Sequence, residues 1–294
     1  MSGLRAIDHL VLAVTDLATA RARLSSLGFT VAPDARHPFG TENACVFLRD
    51  GTYLEPLAIG SDAESLATAR AGNVFTARDR AFRFRHGHEG LEAVVFRTGD
   101  AVADHDAYIE SGFSAGQMLE FSRLFRTPSG EEGEASFRLA FAADLRSPDF
   151  HVFTCERINT PQVDRAPLVA HDNGATGLAG VTLCETNPED FRDFLEAASR
   201  GGRAERTGEG LRLETGDASL SVVMPAAFET RFGRKYCGHA RGLRGRAISF
   251  HVVSLDETAT LLRRNGVVHE TIGKRLVVPE ASGQGVLYSF EEKA

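Results

Sequence analysis

Two residues that could bind a cation interrupt strand-like apolar runs near the N-terminus. His9 stands within the run 7–14, and Glu55 stands within the run 53–57. A carboxylate in a mostly buried strand is costly unless it is paired or bound to a cation. An imidazole and a carboxylate together suit Zn, Fe, Mn, Ni or Co. The pair predicts either a divalent-metal site or a buried His–Glu hydrogen bond, and a Glu55 at a solvated strand end is the third interpretation.

The elements that would position this pair recur four times along the chain. In each copy a strand-like run leads to a helix cap, a helix of about three turns follows, and a Gly closes it before further strand-like runs. The caps are Thr15 or Asp16, Thr98, Asn187 and Ser254, and the closing glycines are Gly28, Gly112, Gly201 and Gly266. A repeat of this size indicates stacked supersecondary units. Because a strand–helix–three-strand module cannot bury its sheet face alone, we expect the modules to pair.

Length and composition favour two domains of two modules each. The chain has 294 residues, of which 43% are hydrophobic, enough for two ordinary domains. We predict an N-terminal domain over residues 1–160, a linker over 161–176 that contains two prolines and an Asn-Gly pair, and a C-terminal domain over 177–294. The stretch 60–89 lacks a clear period, and we expect it to be an irregular excursion over the surface.

Charge and hydropathy exclude several classes of partner. The net charge is −7 with a pI of about 5.8, and Lys and Arg are scattered along the chain, so we expect no nucleic acid. No apolar run approaches the ~18 residues of a membrane span, and no signal-peptide core is present. The four cysteines form no CxxC and indicate reduced thiols. We therefore expect a cytoplasmic protein with a small-molecule substrate, no membrane partner and a possible homodimer.

A family resemblance extends over residues 7–59. The run Ile7-Asp8-His9-Leu10-Val11-Leu12-Ala13-Val14-Thr15-Asp16-Leu17 resembles the opening of glyoxalase-like proteins of the vicinal-oxygen-chelate superfamily. The segments His37-Pro38-Phe39-Gly40-Thr41-Glu42-Asn43-Ala44 and Asp50-Gly51-Thr52-Tyr53-Leu54-Glu55 resemble the same family. The resemblance implies an α+β fold of four βαβββ modules that form two glyoxalase-like domains with cupped mixed sheets. It also implies a divalent metal in the cup, held through His9 and Glu55.

The second pair of ligands implied by the resemblance is not evident. Counting back from Asp100 as His9 precedes Asp16 reaches Ala93, and counting six from Thr98 reaches Glu92. Glu156 lies near the last-strand position of the second module, so a Glu92–Glu156 pair or Glu156 alone could complete the site. An ion pair of Glu156 with Arg157 or Arg138 is the alternative.

The C-terminal half matches the ligand pattern less well, and we expect a degenerate copy that completes the fold, shapes a pocket wall or makes a dimer surface. Ser289 stands where a Glu is expected. His251 precedes Ser254 by three residues whereas His9 precedes Thr15 by six, and the odd difference predicts that His251 faces away from the cup. Cys237 and His239 have metal-ligand spacing, but a solvated loop is the preferred interpretation.

The resemblance implies a divalent-metal-dependent enzyme of the lyase/isomerase or dioxygenase type. Its substrate would be a small oxygenated molecule chelated through vicinal oxygens, with the metal stabilising a developing oxyanion. His9 and Glu55 would be ligands, and Glu156 or Glu92 would be a ligand or a general base. Ring cleavage needs two His and one carboxylate, and the second His is not evident. The alternative is a non-catalytic small-molecule binding or sequestering protein without metal.

Overall fold

The computed structural model describes residues 4–126, 132–159, 165–216, 218–235 and 241–293. The strands are β1 (Ile7–Ala13), β2 (Ala35–Arg36), β3 (Thr41–Asn43), β4 (Val46–Phe47), β5 (Tyr53–Ile59), β6 (Gly90–Thr98), β7 (Leu119–Arg126), β8 (Glu132–Ala142), β9 (His151–Asn159), β10 (Ala175–Cys184), β11 (Ala204–Arg206), β12 (Gly210–Thr215), β13 (Ala218–Val223), β14 (Arg244–Val252), β15 (Glu270–Ile272), β16 (Arg275–Val278) and β17 (Leu287–Glu292). The helices are α1 (Leu17–Ser26), α2 (Asp62–Arg70), α3 (Val74–His86), α4 (Ala101–Glu110), α5 (Arg192–Ser199), α6 (Pro225–Phe232) and α7 (Leu255–Arg264), with 3-10 turns at Ala166–Leu168 and Pro188–Phe191.

The strands form two mixed sheets, one from each half of the chain. The first has the order β2-β3-β5-β1-β6-β9-β8-β7, with β4 also paired to β5, and the second has the order β11-β12-β13-β10-β14-β17-β16-β15. Each sheet contains two strand–helix–three-strand modules whose first strands, β1 and β6 or β10 and β14, are antiparallel neighbours. The predicted α+β fold of four βαβββ modules is therefore confirmed, and the modules pair one with two and three with four. The domain boundaries stay a prediction.

The first helix of each module begins at or close to a polar residue that the sequence offers as a cap. Asp16, Asp100 and Ser254 are the N-caps of α1, α4 and α7, and their side chains accept hydrogen bonds from Thr19, Ala103 and Glu257 amides. In the third module Asn187 precedes the 3-10 turn that leads into α5. The second cap is thus Asp100 rather than the predicted Thr98. Gly28 ends the first helix at a φ of 84°, a conformation that favours glycine.

The helices of the modules and the convex faces of both sheets share one continuous core. Phe29, which follows α1, packs against Phe250 and Tyr288 of the second sheet. On the other side, the Tyr108 hydroxyl of α4 donates a hydrogen bond to the Ala198 carbonyl of α5. The two concave faces, which we call the first cup and the second cup, are left to separate apolar clusters.

Each cup receives a helix inserted after the last strand of a module. Residues 60–89 contain α2 and α3, so the predicted irregular surface excursion is wrong. Val74 and Phe75 of α3 pack with Val95 and Phe141 in the first cup, and Phe228 and Phe232 of α6 pack in the second. In α3 several charged residues interrupt the apolar ones, which obscured the helical period in the sequence.

Three further observations bear on the expectations from sequence. Within the described ranges no helix is long and apolar enough to cross a membrane. Cys45, Cys155 and Cys184 are free and buried. Cys237 and His239 lie outside the described residues.

Candidate functional site

His9 and Glu55 meet in the first cup because their strands are parallel neighbours. In the pairing of β1 with β5, His9 is opposite Tyr53 and Val11 is opposite Glu55, so both side chains emerge on the concave face. His9 Nε2 lies 3.2 Å from Glu55 Oε2. Both side chains are at least nine-tenths buried. The structure thus brings together the two residues that the sequence singled out.

A bulge in β1 brings Asp8 to the other side of the His9 ring. Ile7 pairs with Phe96 and His9 with Val95, so Asp8 is the extra residue, and a bulge of this kind re-aims side chains. Asp8 Oδ1 lies 2.8 Å from His9 Nδ1 and 2.8 Å from Arg157 Nη2. The imidazole is therefore held between two carboxylates, one at each ring nitrogen.

This arrangement shifts the pKa values of His9 and Glu55 in opposite directions. Burial alone would lower the pKa of His9, but the hydrogen bonds with Asp8 and Glu55 outweigh it and raise that pKa above 6.5. Burial alone would raise the pKa of Glu55, yet the hydrogen bond and charge of His9, with help from His37 and Asn43, lower it to about 2. Glu55 is thus ionised at neutral pH, and His9 readily holds a cationic charge beside it.

The second carboxylate oxygen of Glu55 faces residues that the sequence reasoning did not assign to the site. Asn43 Nδ2 donates to Glu55 Oε1 at 2.5 Å, and His37 Nε2 lies 3.6 Å from the same oxygen. His37 Nδ1 is 2.9 Å from Thr41 Oγ1. Burial is the main reason that the pKa of His37 falls to about 4, so this imidazole is neutral at physiological pH. The sequence could have pointed to His37 and Asn43, because both lie in the segment 37–44 that carried the family resemblance.

Aromatic rings enclose the polar group. Tyr53 stacks on His9 with ring centroids 4.4 Å apart, and Phe153 makes a T-shaped contact with His9 at a centroid distance of 5.7 Å. The remaining walls are apolar apart from Arg123: Phe39, Phe75, Phe121, Phe137, Leu139 and Cys155. Arg123 Nη1 is buried and has no hydrogen-bond partner among the described residues. The cavity measures about 30 Å³, room for about two waters, so a larger ligand requires the phenyl rings to move.

The register of the second module explains why it adds no ligand at the matching positions. Val11 precedes the cap Asp16 by five residues and pairs with Glu55; Val95 precedes Asp100 by five and pairs with Phe153. Phe153 is therefore the counterpart of Glu55, and Ala93, which is seven before its cap, is the counterpart of His9. Neither can bind a metal.

The two other predicted site residues lie apart from this pair. Glu156 is three residues beyond Phe153, which changes the face of the strand; it accepts from the Ala101 amide at the start of α4 and lies 3.5 Å from Arg138 Nη1. The structure does not bring it to His9 and Glu55, and the contact with Arg138 is the ion pair named as its alternative.

Glu92 is the extra residue of a bulge in β6, since Val11 pairs with Ala93 and Leu12 with Leu91. It is buried, and it does not line the cavity around His9. Burial, then the negative charge of Asp79, raises its pKa well above the usual range of a carboxyl group. Across the described ranges, no three His, Cys, Asp or Glu side chains are grouped so that they could hold a metal ion.

The comparisons identify the family. A family model for the glyoxalase-like domain matches residues 7–198. The chain belongs to this family. The resemblance to glyoxalase-like proteins that was inferred from residues 7–59 is thereby confirmed. Among curated proteins no sequence matches significantly.

Solved structures with the same fold cover nearly the whole chain. A hypothetical protein from Staphylococcus aureus is 10% identical with a TM-score of 0.66, covering 99% of this glyoxalase-like chain and 100% of its own. A triple mutant of 4-hydroxymandelate synthase from Streptomyces coelicolor is 13% identical with a TM-score of 0.61 over 100% and 95%. The Mn(II)-bound glyoxalase from Novosphingobium aromaticivorans is 10% identical with a TM-score of 0.52 over 99% and 82%. At these identities the likeness concerns the fold.

Proposed function

We propose that this glyoxalase-like protein is a divalent-metal-dependent enzyme whose site is the His9–Glu55 pair in the first cup. The observation that carries the proposal is the 3.2 Å approach of His9 Nε2 to Glu55 Oε2, with His9 Nδ1 held by Asp8. Histidines that bind metals usually donate their other ring N–H to a carboxylate or carbonyl. If Nδ1 donates to Asp8, the lone pair of Nε2 faces a carboxylate oxygen of Glu55. The two electron-rich atoms repel each other unless a proton or a metal cation lies between them.

The donor set fits a weakly held ion. His9 and Glu55 would hold it, and His37 is the nearest further imidazole. Because Ala93 and Phe153 occupy the matching positions of the second module, the other coordination positions would be left to substrate oxygens and water. We therefore expect modest, reversible affinity for Zn, Fe, Mn, Ni or Co. When bound, such an ion would act as a Lewis acid toward a substrate with vicinal oxygens.

The chain's own residues would orient the substrate. The rings of Tyr53 and Phe153 and the walls of the first cup exclude water and favour a small, flat molecule. Arg123 Nη1, which has no hydrogen-bond partner among the described residues, would donate to an oxygen that gains negative charge. Glu92 stays a prediction as the general acid–base, since it is buried and does not line the cavity around His9. Glu156 stays a prediction, since its contacts are with α4 and Arg138.

A metal titration by calorimetry on protein purified without a His tag tests the site. Wild-type protein should bind Mn²⁺ or Zn²⁺, while His9→Ala and Glu55→Ala should abolish binding and leave the fold intact. Exposed residues of the same types provide the controls, His88→Ala and Glu110→Ala. Metal binding that persists in both site variants, or none in the wild type, would contradict the proposal.

A metal-free sequestering protein is the second candidate, and the loss of half the ligand positions to Ala93 and Phe153 favours it. Catechol, which carries two vicinal oxygens on a ring, separates the two. Under the enzyme proposal its affinity rises when Mn²⁺ is added; under the sequestering proposal it is the same after chelator treatment.

A further inference from the structure

The second cup contains a cavity of about 420 Å³, a volume typical of small-molecule sites. It is more than ten times larger than the cavity around His9. Its lining is polar where that of the first cup is aromatic, so the two cups cannot take the same kind of ligand. No apolar wall comparable to the phenyl rings of the first cup lines the described part of this cavity.

The strand register shows which residues of the second cup correspond to His9 and Glu55. Ser221 on β13 and Ser289 on β17 occupy the positions that Glu55 holds in the first module, since they pair with Thr182 and Ser249, each five residues before its helix cap. The counterparts of His9 are Gly180 and Ala247. The four positions at which the family places metal ligands are therefore held by small side chains.

Several hydroxyl groups face this cavity without a partner. Thr182, Ser219 and Ser221 line it and are 3%, 6% and 3% exposed. Their hydroxyls form no hydrogen bond with the described residues, whereas Ser249 and Ser289 bond each other at 2.7 Å. Each of these three hydroxyls can donate to or accept from a ligand in the cavity.

The rim of the cavity carries an excess of positive charge. Arg212, Arg231, Lys274 and Arg275 line it together with only two carboxylates, Glu209 and Glu291. Arg231 pairs with Glu209, Arg275 pairs with Glu291, and Arg212 pairs with Glu214, which lies just outside the lining. With Glu214 counted, the formal charge of this group is +1, which corresponds to Lys274, in a chain whose net charge is −7. This local reversal of sign is what an anionic ligand needs.

We propose that the second cup binds a small hydroxyl-rich organic anion, with a phosphate or carboxylate group at Lys274 and hydroxyls at Thr182, Ser219 and Ser221. The cationic rim supplies charge-assisted hydrogen bonds to the anionic group. The two serines and the threonine form hydrogen bonds with the hydroxyl groups of the ligand. The site needs no metal and does not depend on the function proposed for the first cup.

Calorimetry on the full chain with citrate, inorganic phosphate and glycerol tests the proposal. Citrate should bind, phosphate should bind more weakly and compete with it, and glycerol alone should not bind. Lys274→Gln should weaken citrate by about tenfold, and Ser221→Ala by about threefold or more, since each removes one polar contact. Arg264→Gln, an exposed arginine on α7, is the control and should change nothing.

An Arg123→Gln variant distinguishes the two cups. If citrate binding is lost in this variant and retained in Lys274→Gln, the anion occupies the first cup and the proposal fails. Absence of citrate and phosphate binding in wild-type protein with a native thermal melt also overturns it. Equal binding by Lys274→Gln, Ser221→Ala and wild type shows nonspecific anion association, which contradicts the site as well.

Discussion

Phe153 occupies on β9 the position that Glu55 occupies on β5, and its ring makes a T-shaped contact with the His9 imidazole at a centroid distance of 5.7 Å. One module of the first cup thus contributes a carboxylate and the other an aromatic ring to the same polar group. The carboxylate and the ring stand at equivalent positions of the same backbone register. The chemistry of the cup is therefore set by which residue stands at a few equivalent strand positions.

Replacing that ring with a carboxylate should strengthen metal binding. In Phe153→Glu the new side chain stands at the ligand position of the second module, and we expect Mn²⁺ affinity to rise by about tenfold or more because a third ligand is added. Without metal the variant should melt at a lower temperature than wild type, since it buries an additional charge. Calorimetric titration and thermal melts with and without Mn²⁺ measure both effects.

Phe141→Glu is the matched control, a buried phenylalanine of the same apolar cluster. It should lose stability without any gain in metal affinity. Equal metal affinity in Phe153→Glu and wild type would contradict the assignment of this position.

The contribution of His9 to stability should depend on pH in a defined direction. The folded-state pKa of His9 is raised above 6.5, so the stabilisation from its charged form is fully present below pH 6.5 and is lost as the pH rises through the folded-state pKa. The difference in unfolding free energy between wild type and His9→Gln, measured in metal-free buffer, should therefore be largest at mildly acid pH and decline at alkaline pH.

Below pH 4.5 the same difference should also shrink. The pKa of Glu55 is lowered to about 2 from 4.5, so its stabilising ionised form, the partner of His9, is lost as the pH falls toward 2. A difference that grew with rising pH would show that His9 is neutral in the folded protein.

Metal and proton should compete for His9. If the metal binds Nε2, it displaces the proton that the raised pKa places there. Titrations of Mn²⁺ in buffers of different ionisation enthalpy should then report proton release, and the affinity should fall as the pH is lowered. Binding that is independent of pH between 6 and 8, a window of about two units around the ordinary imidazole pKa, would place the ion elsewhere.

Asn43 should support the site through Glu55. Asn43→Ala removes the 2.5 Å hydrogen bond to Glu55 Oε1 inside the cup, and we expect a loss of about 1–3 kcal/mol because a buried carboxylate oxygen loses its donor. Asn265→Ala removes the exposed hydrogen bond to the Ser26 carbonyl and should cost clearly less. Chemical denaturation of the two variants checks this, and equal losses would argue that Glu55 does not need the amide.

Arg83 should anchor α3 in the first cup. Its guanidinium donates to the Val14 and Leu57 carbonyls at 2.9 and 2.8 Å and to Asp79 at 2.8 Å. Arg83→Met leaves these buried acceptors unpaired, and we expect a loss of about 3–5 kcal/mol. Arg80→Met breaks only the exposed pair with Asp62 and should cost at most about 1 kcal/mol. Similar melting temperatures for both variants would contradict this role.

One error of the sequence reasoning has a local cause. The N-cap of α1 is Asp16, not Thr15, so His9 precedes its cap by seven residues and His251 precedes Ser254 by three. The difference is even, and strand alternation puts His251 on the face of Ser249 rather than the opposite one. When strand faces are inferred by counting back from a helix cap, an error of one residue in the cap assigns each side chain of the strand to the wrong face.

The sequence by itself indicated the four modules, singled out His9 and Glu55 as a possible pair, and showed no matching ligands at Ala93 and Ser289. These features depend on short-range patterns: strand and helix periods, caps, and spacing within one strand–helix unit. The tertiary structure alone decided that modules pair one with two, that α3 enters the first cup, and that His37 and Asn43 reach Glu55. It also decided, through bulges at Asp8 and Glu92, which side chains meet, because bulges and strand partners arise from contacts between segments distant in sequence.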